Sequence, residues 1–148
     1  MPKTLVLKLA ACCLVLAYAA GAMAEEHGHA EHKAPHGGVL LEVGAEEAHL
    51  EMVHDEAAGK VTLYVLGKDA KTPVAIATAP KLNLKLEAGP KQIETKAVDP
   101  KDGAASQFEV TDDALKAHGL TGRIALKIGE KKYNVELKHD HDHDHDHK

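Results

Sequence analysis

Histidine and aspartate alternate strictly near the C-terminus: His139, Asp140, His141, Asp142, His143, Asp144, His145, Asp146 and His147, followed by Lys148. Imidazole nitrogens suit Zn, Cu and Ni ions, and the interleaved carboxylates add charge that draws cations in. Alternate side chains of an extended chain point the same way, so the histidines can line one edge and the aspartates the other. A stretch without apolar residues has nothing to bury, which predicts a disordered, solvated tail over 139–148. Such a string imposes no geometry and does not choose among the metals. Without metal, the same composition reads as a solubilising polar tail.

A second histidine cluster lies near the other end. Residues 25–38 carry Glu25, Glu26, His27, His29, Glu31, His32 and His36 among small residues, and read as a second disordered arm. Of the twelve histidines, nine lie in this arm or in the tail. Upstream, Lys3 and Lys8 accompany an apolar run from Leu9 to Ala20, and Ala22-Met23-Ala24 offers a small-x-small cleavage site. This predicts a signal peptide over 1–24, with a run too short to span a bilayer comfortably. A periplasmic or secreted protein without stable membrane insertion is expected. Leu9-Ala10-Ala11-Cys12 also resembles a lipobox, but Lys8 interrupts the apolar run before it. Cleavage after Ala24 would leave a free amine on Glu25-Glu26-His27. The amine, the two following backbone nitrogens after loss of their protons and the His27 imidazole would form a plane suited to Cu(II) or Ni(II).

Composition narrows the other function classes. Cys12 and Cys13 are the only cysteines and fall within 1–24, so the mature chain has no disulfide and no thiolate. Removing 1–24 takes two lysines and no acid from 18 basic and 23 acidic residues, moving the formal charge from −5 to −7. An acidic chain without a basic run, and with 3% aromatic residues, argues against nucleic acid and anionic membranes as partners. Ser106 is the only serine and sits outside any G-x-S-x-G, and neither a phosphate-cradling glycine loop nor H-E-x-x-H is present. Nothing here points to an enzyme.

The residues between the arms must form whatever holds them. From Val39 to Lys138 the pattern has period two: Leu50 and Met52; Val61, Leu63 and Val65; Leu82, Leu84 and Leu86; Phe108 and Val110; Ile124, Leu126 and Ile128; Tyr133, Val135 and Leu137. Each series reads as a strand with one wet face. Gly44, Ala58-Gly59, Gly67-Lys68-Asp69, Gly89-Pro90, Asp99-Pro100, Asp102-Gly103 and Gly129-Glu130 punctuate them. Seven or eight such strands predict a single antiparallel sandwich of immunoglobulin-like type over 39–138. Asp112 to His118 is the one helical candidate, capped by Thr111 or Asp112 and ended by Gly119.

Pro35-His36-Gly37-Gly38, His49-Leu50-Glu51-Met52-Val53, Val61 to Leu66, Pro73-Val74, Ser106-Gln107-Phe108 and Lys132-Tyr133 together carry a resemblance. The stretch resembles exported, histidine-rich bacterial proteins of unassigned function. It is also similar to the small extra domain that precedes the adaptor body in some heavy-metal efflux systems. That resemblance implies a periplasmic, metal-handling accessory built on a β-sandwich. The chain lacks the long helical hairpin of a full adaptor.

Within the body, His36 precedes two glycines and His49 shares a strand face with Glu51. The two could join Glu51 or Asp55 around a metal, or be ordinary turn and surface residues. His54 reads as a capping residue and His118 as the last turn of the helix. The expectation is a binding protein that captures or buffers Zn, Cu or Ni ions, with a metal-efflux or envelope protein as a further partner. The alternative is a protein-interaction sandwich whose polar tails only solubilise it.

Overall fold

Alternating apolar residues drive the chain into strands with one face turned to a shared core. The computed structural model describes residues 33–138, so the segment read as a signal peptide, Glu25, Glu26, His27, His29 and His32 of the arm, and the whole tail from His139 lie outside the described residues. The strands are β1 (Val39–Val43), β2 (Ala48–Asp55), β3 (Lys60–Leu66), β4 (Lys81–Leu86), β5 (Gly89–Glu94), β6 (Lys96–Ala97), β7 (Gln107–Thr111), β8 (Gly122–Ile128) and β9 (Lys131–Leu137). A single 3-10 turn, η1 (Asp113–Lys116), separates β7 from β8.

The strands form two antiparallel sheets, ordered β1-β2-β3-β7-β6 and β5-β4-β8-β9. In immunoglobulin lettering, β2-β3-β7-β6 stand as A-B-E-D and β5-β4-β8-β9 as C′-C-F-G, with β1 added outside A. The chain is an all-β, immunoglobulin-like sandwich. Leu50, Val61, Leu63, Val65 and Phe108 of the first sheet are buried with Leu82, Leu84, Ile124, Val135 and Leu137 of the second in one cluster. Glu47, in the turn after β1, accepts hydrogen bonds from the Tyr133 hydroxyl and from Lys131 Nζ (2.9 Å), tying one rim of the first sheet to β9.

Three local expectations are corrected. Gly89-Pro90 is not the turn: Leu86 pairs with Gly89 and Lys85 with Pro90, so residues 87–88 make the reversal and Gly-Pro opens β5. Proline is tolerated there because β5 is an edge strand, where a missing N–H breaks no ladder. The helical segment stops at Lys116, and Ala117 is already extended (ψ 135°), which leaves His118 beyond the helix. There His118 is exposed and pairs through Nδ1 with Glu56 (2.9 Å). Finally, β2 has no wet face over its first five residues: Ala48, His49, Leu50, Glu51 and Met52 are all buried.

Asp112 supports η1 on two sides. Its carboxylate accepts from Ala114 N (2.8 Å) and from Lys91 Nζ (2.7 Å), and both contacts hold its pKa below the usual carboxylate value. Behind the turn, His54 Nε2–H donates to the Leu115 carbonyl (2.6 Å), so the histidine at the end of β2 caps η1. Asp112→Ala is expected to cost about 1 kcal/mol, the usual loss for an N-cap side chain, measured as a shift of the urea midpoint at unchanged slope.

Candidate functional site

The chemistry within the described residues centres on Glu51. It lies mid-strand in β2, between Leu50 and Met52, with its side chain turned away from the core and toward the outer face of the first sheet. Even so it is fully buried, with 0% exposure, because the chain before β1 folds over it. Gly38 makes that approach possible. A Cβ at this position would lie 2.4 Å from the Met52 carbonyl oxygen and 2.9 Å from Val53 Cγ2.

Three donors from the covering segment converge on the Glu51 carboxylate. His36 N–H (2.7 Å) and Gly38 N–H (3.0 Å) reach Oε1, and His36 Nδ1 reaches Oε2 at 2.7 Å. Burial alone would raise the Glu51 pKa. The Gly38 amide, then the His36 ring and amide, outweigh it and hold the carboxyl below its ordinary value. An ionised carboxylate only accepts hydrogen bonds, so Nδ1 of His36 carries the proton. Tyr64, opposite Glu51 in the β2–β3 register, completes the seat: its ring stacks on the imidazole at 3.7 Å and 4°.

The outcome is an oriented histidine. Nδ1 is engaged, the ring face lies on Tyr64, and the His36 side chain remains 41% exposed. In the neutral ring the lone pair then sits on Nε2. A carboxylate that fixes the tautomer and orientation of an imidazole is the support that metal-binding histidines use.

The other body candidates are not brought together with it. His49 is buried at 3% exposure and its Nδ1 lies 3.1 Å from the Gly67 carbonyl, so the surface reading of this residue is corrected. Asp55 accepts from Ala58 N (3.0 Å) and serves the turn between β2 and β3. Among the described residues, no group of three or more His, Cys, Asp or Glu converges to hold an ion. Sequence reasoning missed Tyr64 and the anchoring role of Glu51. One signal was available, since a glutamate between Leu50 and Met52 faces Tyr64 once β2 and β3 pair.

Charge is also distributed in a way that composition hides. By strand register, the outer face of the second sheet presents Lys81, Lys85, Arg123, Lys127 and Lys132 against Glu94 and Glu136. The outer face of the first sheet presents Glu42, Glu51, Asp55 and Glu109 against Lys60 and Lys96. An acidic chain thus carries one face with more basic than acidic residues, which the net charge alone does not show. Among the described residues no helix is long and apolar enough to cross a membrane. Comparison with family models, with curated proteins and with solved structures found no match to this chain.

Proposed function

We propose that the protein is exported and captures or buffers Zn, Cu or Ni ions, as an accessory to heavy-metal efflux. The observation that carries this reading is His36, with Nδ1 fixed on a buried carboxylate and its side chain partly exposed. The histidine- and acid-rich sequences on either side of the sandwich supply the capacity. His36 supplies a ligand whose orientation exists only in the folded chain.

Those two kinds of ligand separate by experiment. Ligands that bind folded and unfolded chains alike do not raise the melting temperature, whereas a ligand oriented only by the fold does. The full chain is expected to retain Zn, Cu or Ni through dialysis, with retention falling between about pH 7 and 5.5 as protons compete for imidazole. A chain ending at Lys138 should lose most of that capacity yet keep a metal-dependent rise in melting temperature, and His36→Ala should abolish the rise. Failure of the full chain to retain any of the three ions would end this reading. The second reading, a protein-interaction module, draws on the open edge of β1, where Val39 is 56% exposed. It predicts no metal retention.

A further inference from the structure

Part of the basic outer face of the second sheet takes no part in ion pairs among the described residues. Lys85, Arg123 and Lys132 make no ion pair with any described residue, and all three are exposed. Arg123 is the only arginine in the chain. It sits beside Asn83 in the β4–β8 register, and Asn83 sits beside Gln92 on β5. Asn83, Lys85, Pro90, Lys91, Gln92 and Arg123 line a shallow groove of about 480 Å³ at this end of the sheet. Lys91 is already engaged by Asp112, so Arg123 and Lys85 are the cations the groove offers.

We propose that residues 139–148 dock on this face through their aspartates and are released when they load metal. Three observations favour this occupant. First, the tail begins where the groove lies: Leu137, at the end of β9, pairs with Gly122, and Glu136 pairs with Arg123. From β9 to the far strand β5 is three strand spacings, roughly 14 Å, whereas the ten residues 139–148 reach about 33 Å when extended. Second, the charges are complementary: Asp140, Asp142, Asp144 and Asp146 are opposite in sign to Arg123 and Lys85. Third, tethering holds the tail at an effective concentration near the millimolar range and makes docking an intramolecular event.

The coupling to metal follows from charge and rests on the proposed metal binding. Each divalent ion adds two positive charges to the tail and occupies aspartates that would otherwise face Arg123 and Lys85. Metal weakens docking, and by reciprocity docking weakens metal binding. The sandwich then sets the affinity of its own tail.

The test compares amide spectra of the metal-free full chain with those of a chain ending at Lys138, at low ionic strength. Expected are shifts confined to residues near 83–85 and 122–124, lost in 0.5 M salt and lost again on adding zinc. Arg123→Gln combined with Lys85→Gln, both exposed, should remove the shifts and tighten zinc binding by the full chain about fivefold. The metal-free comparison decides the docking whether or not the tail binds zinc. Identical spectra with and without the tail overturn the proposal. So does movement of the same amides by phosphatidylserine vesicles but not by the tail, which would assign the face to an anionic surface. Zinc bound by the full chain with no change in affinity in the double variant overturns the coupling.

Discussion

Glu51→Ala is expected to lower the unfolding free energy by about 2–3 kcal/mol and the melting temperature by about 10 °C or more. The side chain is fully buried and accepts from two backbone amides and one imidazole. Removing it leaves those donors to find water, and the segment they belong to must lift off the sheet. Glu51→Gln retains an oxygen for the His36 and Gly38 amides but loses the charge, so its cost is smaller, about 1 kcal/mol. Glu109→Ala is the control. Its ion pair with Lys60 is half-exposed on both sides and screened by solvent, so its removal costs far less than that of Glu51. Equal losses for Glu51→Ala and Glu109→Ala would show that the anchored segment adds nothing.

The same carboxylate fixes a pH signature. Its folded-state pKa is depressed from 4.5, so near that pH the unfolded chain binds more protons than the folded one. The stabilisation is complete above pH 4.5 and is lost as pH falls through the lower folded value. Glu47, Glu94 and Asp112 are also depressed, and Asp69, holding the Thr72 hydroxyl and two amides, sits at about 2. Acid sensitivity is therefore shared. The difference between the parent and Glu51→Gln isolates the contribution of Glu51, and it should shrink on acidification below pH 4.5.

A larger loss is expected from Gly122→Ala, about 3 kcal/mol or more, enough to reduce soluble yield. Gly122 opens β8 at φ +146°, and a Cβ there would lie 2.1 Å from the Asn83 carbonyl oxygen and 2.9 Å from Leu84 Cα. Both obstacles are backbone of β4, which is paired on its other side with β5 and cannot retreat without breaking the ladder. Gly103→Ala provides the contrast. Its φ is +78° with nothing within 4 Å, so only the conformational penalty of about 1 kcal/mol applies. Matching urea midpoints for the two variants would mean that β4 and β8 do not approach as closely as described.

The sandwich was legible because its long strands alternate cleanly: β3, β4, β8 and β9 each place apolar residues at every second position. Strand β5 escaped because Gly-Pro opens it and Ile93 is its one buried residue, so neither alternation nor composition marks it. Strand β6, with two residues, is defined by its partner β7 alone. For β2, alternation correctly separated His49 and Glu51 from Leu50 and Met52 but could not show that both faces would be covered. That cover comes from Gly38 and from the loop at Gly67, contacts 13 and 18 residues away in sequence. His36 was recognisable as a candidate because two glycines follow it. Its seat on Tyr64 depends on strand register, which no local pattern reveals.

The four sheet borders are unequally protected against strand addition by another copy of the chain. Strand β5 carries Pro90, β6 is two residues long, and β9 bears Lys131, Lys132 and Glu136. Each of these opposes intermolecular pairing. Strand β1, Val-Leu-Leu-Glu-Val, has Glu42 as its only charge and leaves Val39 open to water. Self-association of the folded chain is therefore directed to this one border, and Leu40→Lys, on the outward side of β1, is the change that would raise its solubility limit.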